Sequence, residues 1–259
     1  MHTRDPREQI ESGNAWYTDD QFEKQYDRPG PREVIENRWR LFERAIADYI
    51  AGSGRDIKAD PLRILDAGCG DGINLSGLSE ICRARGWNVR IQGADYNALR
   101  VGRASKLPLI EEVVEASLEA LPYVEDHFDI VLCNQVLEHV ARDKKVLTEL
   151  WRTLRSGGRL IVGVPNEGCV MGWMRNHALQ RSILKSTDHV NFYTWASLSK
   201  LLYSSGFEVH ELVRTGFFMP HSAIHYGISH FSLGRRLLKK MGGLWPSQCA
   251  ELIVVAVKK

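Results

Sequence analysis

Arg63-Ile64-Leu65-Asp66-Ala67-Gly68-Cys69-Gly70-Asp71-Gly72 is the stretch on which the fold turns. It begins as an apolar strand, Leu62 to Asp66, and runs into a loop with glycine at every second position. A helical pattern follows from about Leu75 to Arg85. A strand, glycine loop and helix in that order put the loop at the carboxyl end of a parallel sheet, where open α/β folds bind ligands. Glycine suits that edge because a ligand reaches backbone amides closely only where no Cβ intervenes. The next strand, Val89 to Asp95, ends on a carboxylate placed to accept both hydroxyls of a ribose. Dinucleotide folds use G-x-G-x-x-G, and here Ile73 stands where the third glycine belongs, which disfavours nicotinamide or flavin.

Outward from this unit, apolar runs alternate with helical patterns. Ala98 to Ala104 reads as a helix, Glu112 to Glu115 as a third strand and Phe128 to Cys133 as a fourth. Lys144 to Leu154 is helical, and Arg159 to Val164 is a fifth strand entered through Ser156-Gly157-Gly158. Thr194 to Ser204 is a helix, Phe207 to Val213 a sixth strand and Ala250 to Val257 a seventh. This rhythm predicts β-α-β units and a parallel sheet covered on both faces. Upstream, Glu33 to Ile50 is an amphipathic helix that follows a boundary at Pro29-Gly30-Pro31. A single domain over 1–259 is expected, with a cap and helix at 1–55 and a ligand-binding core at 60–165. Insertions on the substrate side occupy 166–192 and 216–249.

Composition narrows the function. The chain has 259 residues, with 34 Lys+Arg against 32 Asp+Glu for a formal charge of +2, and 44% of its residues are hydrophobic. That is a folded globular composition, without the charge excess that attracts nucleic acid. Five scattered cysteines with no C-x-x-C pair argue against a disulfide framework or structural zinc and fit a reducing compartment. The charged N-terminus has no leader-like apolar stretch, and no uncharged apolar run reaches spanning length, so a cytoplasmic protein is expected.

Leu65 to Gly72 closely resembles the signature loop of class I S-adenosylmethionine-dependent methyltransferases. The likeness continues in order through Gly93-Ala94-Asp95-Tyr96, Ala116 to Pro122, Phe128 to Val140 and Leu154 to Leu160. His189-Val190-Asn191-Phe192-Tyr193-Thr194 and Ser205-Gly206-Phe207 are similar to the small-molecule branch that includes ubiquinone-pathway enzymes. The resemblance covers about residues 60–215. It implies a Rossmann-like, doubly wound α/β fold with a seven-stranded sheet whose last strand is antiparallel. It also implies S-adenosyl-L-methionine as cofactor. Gly68 and Gly70 would cradle the amino-acid end, with Asp66 near its ammonium. Asp95 would hold the ribose, and Tyr96 would pack beside the adenine. Ser117 stands where many relatives carry Asp, the amide of Leu118 would read the ring, and Asn134 would lie beneath the sulfonium.

A sulfonium is already a strong electrophile, so the protein chiefly supplies alignment. A hydroxyl acceptor must also lose a proton, and His139 and His189 are the candidate bases. Glu138 reads as a carboxylate favoured by a helix N-terminus. His221, His225 and His230 have metal-like spacing, but no carboxylate or cysteine accompanies them, so no metal is expected. Phe217, Phe218, Met219, Tyr226 and Phe231 read as a lid over an apolar acceptor, and the N-terminal aromatics with Arg38 as a closing cap. Residues 235–241 pair basic with apolar side chains and read either as a membrane contact or as a solvated helix face over a core stripe.

The expected reaction is methyl transfer to a hydroxyl of a small or lipid-linked metabolite, of sugar, polyketide or quinone type. A small amine remains the alternative acceptor. Nucleic acid is disfavoured because Asn134-Gln135-Val136-Leu137 lacks the Pro-Pro-aromatic motif of those enzymes. A NAD-dependent oxidoreductase and a non-catalytic cofactor-binding regulator are the readings from other classes.

Overall fold

A computed structural model describes residues 15–179, 189–217 and 219–259; residues 1–14 and 180–188 of the expected segments, and Phe218 of the expected lid, lie outside it. The first long helix is α1, Pro29–Ser53. It starts four residues earlier than the apolar pattern suggests. Proline in a first helical turn costs little, because the N–H it lacks has no partner there anyway. Then come β1 (Leu62–Ala67), α2 (Ile73–Arg85), β2 (Val89–Asp95), α3 (Ala98–Ala104), β3 (Glu112–Glu115) and β4 (Phe128–Asn134). They are followed by α4 (Asp143–Thr153), β5 (Leu154–Pro165), α5 (Trp195–Ser204) and β6 (Phe207–Thr215). The chain ends with α6 (Ser222–Ser229), α7 (Ser232–Leu244) and β7 (Glu251–Lys258).

Seven strands form one sheet in the order β3-β2-β1-β4-β5-β7-β6. The pairs from β3 to β5 are parallel, whereas β7 is antiparallel to both β5 and β6. The order turns back between β1 and β4, and that switch point is where the carboxyl ends of the strands open a ligand crevice. β5 begins at Leu154, paired with Phe128, so Ser156-Gly157-Gly158 lies within the strand rather than ahead of it.

Side chains alternate between the two faces with the period of 2 that a pleated strand imposes. Leu65, Val131, Cys133, Leu160 and Val162 pack with Leu147 and Leu150 of α4 and Leu198 and Leu202 of α5. Ile64, Ile130, Leu132 and Ile161 pack on the other side with Trp39, Phe42 and Ile46 of α1 and Leu75 and Leu78 of α2. At the amino end of β4, the fully buried Asp129 carboxylate is met by Arg55, Arg155 Nη1 at 3.0 Å, Tyr49 Oη at 3.1 Å and the Arg63 amide at 2.8 Å. Removing one partner from such a buried charge costs more than the pair gains, so this cluster clamps the end of α1 to the sheet edge opposite the crevice.

The two expected insertions are more helical than their composition suggests. The first carries a short helix, Val170–Met174, and a π-turn, Arg175–Leu179. The second folds as α6 and α7. Among the described residues no helix is long and apolar enough to cross a membrane.

Candidate active site

The glycine loop carries its conformation in the backbone. Gly68 has φ +82°, and a Cβ there would stand 2.4 Å from Val136 Cγ2, so only glycine fits between β1 and the turn after β4. The amides of Gly68 and Cys69 donate to Ala94 O at 2.7 and 3.1 Å, which ties the loop to the end of β2. The Gly70 amide donates to Asp95 Oδ2 and the Asn97 amide to Asp95 Oδ1, each at 2.9 Å. Each oxygen of Asp95 keeps lone-pair capacity for a further donor. Burial pushes the Asp95 pKa up, against the amides of Asn97 and Gly70.

Asp66 is 1% exposed, and neither of its oxygens has a hydrogen-bond partner among the described residues. Burial first, and the neighbouring Asp95 second, push its pKa to about 7. Asn134 Oδ1 and Glu138 Oε2 are likewise buried and unpartnered among the described residues. Buried acceptors without donors are costly, so these four oxygens at the ends of β1 and β4 fit a ligand that brings N–H donors or positive charge. S-adenosylmethionine carries an ammonium and a sulfonium, and this orphaned acceptor set suits it.

A cavity of about 230 Å³ lies over the loop, and Gly68, Gly70, Asn134, His139 and His189 line it together with Asp71 and Glu138. Of the ten residues expected to bind cofactor or act as bases, five (Gly68, Gly70, Asn134, His139 and His189) are brought to this cavity, with Arg38 of the expected cap; Asp66, Asp95, Tyr96, Ser117 and Leu118 do not line it. Ser117 Oγ accepts the Glu119 amide at 3.3 Å, and Leu118 is buried in the core. Tyr96 meets Tyr17 edge-on, with ring centroids 6.5 Å apart. Tyr17 belongs to the N-terminal cap, which is docked on the loop. The Gln21 amide donates to Asp71 Oδ2 at 2.7 Å, Asn97 Nδ2 donates to Tyr17 O at 2.9 Å, and Arg103 Nη2 donates to Thr18 O at 2.8 Å.

His139 and His189 stand edge-on, with centroids 4.8 Å apart. The chain brings His189 there because the amides of Val190 and Asn191 donate to Glu138 O, and Asn191 Nδ2 donates to the carbonyls of Leu137 and Val140. Glu138 departs from the sequence reading. It sits 1% exposed in a 3₁₀ turn, Leu137–His139, with Oε1 4.0 Å from His139 Nε2. Burial pushes its pKa to about 7, although His139 pulls it the other way. The donor atoms of Glu138, His139 and His189 lie within 4.8 Å of one another. Ligands about 2.1 Å from a tetrahedral ion stand about 3.4 Å apart, so holding a metal would require this cluster to contract.

A second, larger chamber of about 1000 Å³ adjoins the first and shares Gln25, Ile35, Arg38, Gln135 and His189 with it. Phe217, Tyr226, Leu238 and His225 line it; of the residues expected to form a lid, Phe217 and Tyr226 face this chamber, whereas Met219 and Phe231 do not line it. At the junction, the buried Glu251 carboxylate accepts from Arg38 Nε at 3.0 Å and from Gln135 Nε2 at 2.9 Å. Gln135 has φ +58°, a left-handed conformation that non-glycine side chains rarely adopt and that concentrates at functional sites. Nothing in the sequence points to this bridge, because Arg38 and Glu251 are 213 positions apart. His221 caps α6, its Nδ1 accepting the Ala223 amide at 3.2 Å.

A switch-point crevice, a glycine loop held by an acidic residue on the second strand, and orphaned acceptors at the strand ends together fit a methyltransferase that uses S-adenosylmethionine. Residues 32–212 match the sequence model of the methyltransferase domain family, and the chain belongs to that family. A ubiquinone biosynthesis O-methyltransferase of Aeromonas salmonicida is 30% identical over 187 residues, covering 68% of this chain and 72% of that protein. A probable S-adenosylmethionine-dependent methyltransferase of Mycolicibacterium smegmatis is 27% identical, covering 71% of this chain and 65% of that one. Among solved structures, a methyltransferase from Thermotoga maritima superposes with a TM-score of 0.56 at 21% identity, over 88% of this chain and 97% of that one. The cyclase SpnF superposes at 0.50 and 19% identity, over 76% and 74%. These two likenesses speak for the fold alone.

Proposed function

We propose that the enzyme transfers the methyl group of S-adenosylmethionine to a hydroxyl of a small or lipid-linked metabolite. The observation that carries this reading is the adjacency of a histidine–carboxylate cluster and a largely apolar chamber across the shared wall of Arg38, Gln135 and His189. When bound, the cofactor supplies an activated methyl on sulfur. Gly68 and Gly70 hold its amino-acid end, Asp66 pairs with the ammonium, and Asp95 takes the ribose hydroxyls. Tyr96, Ser117 and Leu118 border the adenine, and Asn134 faces the sulfonium.

In this reading an acceptor in the chamber presents its hydroxyl to His139 or His189, which removes the proton while Glu138 stabilises the imidazolium that forms. The insertions at 166–192 and 216–249 shape the acceptor side. A lipid-linked acceptor would be met at a membrane surface, where residues 235–241 bring basic side chains. The O-methyltransferase relative from Aeromonas salmonicida supports oxygen over nitrogen as the acceptor atom.

Cofactor labelled on the methyl group, incubated with the protein and a cell extract, tests the reading. Label is expected in the organic or the small aqueous fraction, the first for a lipid-linked acceptor and the second for a small polar one; label confined to macromolecules would overturn the reading. Asp66 makes a second expectation. As pH rises through about 7 its carboxyl ionises, and only the ionised form pairs with an ammonium. Cofactor affinity should therefore rise about tenfold between pH 6 and pH 8. Asp66→Asn should flatten that slope in calorimetric titrations; an unchanged slope would remove Asp66 from the ammonium site.

A further inference from the structure

Helix α7 is apolar on two faces rather than one. Its inner face packs tightly: Leu238 is buried, and a Cβ on Gly234 would stand 1.9 Å from Ile228 O. Arg235 on this side pairs with Glu33 of α1 at 2.8 Å. Its outer face carries Leu233, Leu237 and Leu244, which are 77%, 52% and 62% exposed. At 3.6 residues per turn these three fall within about 40° of one another, so they form one stripe. Arg236 and Lys240 run along one edge of it, and both are exposed. Phe231 and Trp245, also exposed, mark its two ends. A helix at a water-facing surface places polar residues there; exposed leucines on one stripe with cations along its edge have the form of an interfacial helix.

We infer that this outer face of α7 docks on an anionic phospholipid bilayer. Charge complementarity selects that occupant. From Gly216 to Ala250 the chain has no Asp or Glu, while α7 alone carries two arginines and two lysines. A second copy of the chain seated on the same stripe would bring these like charges together. Aromatic side chains at both ends of the stripe suit the headgroup level of a membrane. The inner side of the same helix walls the acceptor chamber, through Arg235, Leu238, Lys239 and Gly242. Docking therefore brings the chamber to the bilayer, where a lipid-borne acceptor resides. That delivery rests on the lipid-linked reading above, whereas the docking itself does not.

Sedimentation with vesicles tests the inference without turnover, so its failure leaves methyl transfer untouched. The protein is expected to sediment with phosphatidylglycerol–phosphatidylcholine vesicles and to stay in solution with pure phosphatidylcholine. R236A/K240A should weaken binding about 30-fold, because each basic residue near an anionic surface contributes about fivefold. L233S/L237S/L244S should abolish it while cofactor affinity and the circular dichroism spectrum stay unchanged. Sedimentation of this triple variant like the wild type, or no sedimentation of the wild type, would overturn the inference. A wild-type dimer that the triple variant dissolves would assign the face to a second copy instead, and would overturn it equally.

Discussion

Asp95→Ala is expected to weaken S-adenosylmethionine binding at least a hundredfold in calorimetry. The carboxylate does two jobs in the proposed site. It already holds the amides of Gly70 and Asn97, which fixes the glycine loop against β2. Its remaining lone pairs are those assigned to the ribose. Hydrogen bonds to a charged group contribute about 1.5–3 kcal/mol each, so losing two removes about 3–6 kcal/mol, or a factor of about 10² to 10⁴. Asp95→Asn keeps the shape and loses the charge, and its affinity should fall between wild type and Ala. Wild-type affinity in Asp95→Ala would discard the ribose assignment while leaving the fold and the family intact.

The second large effect concerns turnover rather than binding. The double variant H139A/H189A should lose about 10² to 10⁴ in kcat, the range general-base catalysis contributes, with cofactor affinity unchanged. Glu138 provides the pH signature. Its carboxyl gives up its proton as pH rises through about 7, and only the carboxylate stabilises an imidazolium beside it. The rate should therefore climb through that window and level off above it. Glu138→Gln should lower the plateau and erase the limb, a change that a merely structural role would not produce. A double variant at full speed would remove both histidines as bases and point to an amine acceptor, which attacks in its neutral form without one.

Much of the proposed cofactor half of this site is legible in the sequence. Gly68, Gly70, Asp66 and Asp95 are set by short-range requirements: a positive φ, a close approach and the end of a strand, each readable within a few residues. Asn134 and His139 follow from the end of β4 in the same way. Glu138 is legible as a residue but not as a role. Its position after a strand suggests a helix dipole partner, and only the packing of residues 189–191 across the turn buries it beside two imidazoles. Helix α6 is hidden by glycine-containing and aromatic composition, which weakens a helical pattern without preventing the helix once its inner face finds a partner; α7 is legible in part, as the helix-face reading of residues 235–241.

The sequence alone determined the alternation of strands and helices, its winding on two faces and the glycine loop, because these depend on periodicity and backbone chemistry over windows of about ten residues; the cofactor class followed from the resemblance of those motifs to a known family. Tertiary structure decided the proposed acceptor side: the Arg38–Glu251–Gln135 bridge, the meeting of His139 with His189, and the outward leucine stripe of α7. Each joins or exposes residues according to how distant segments pack, and that information belongs to no single stretch of the chain.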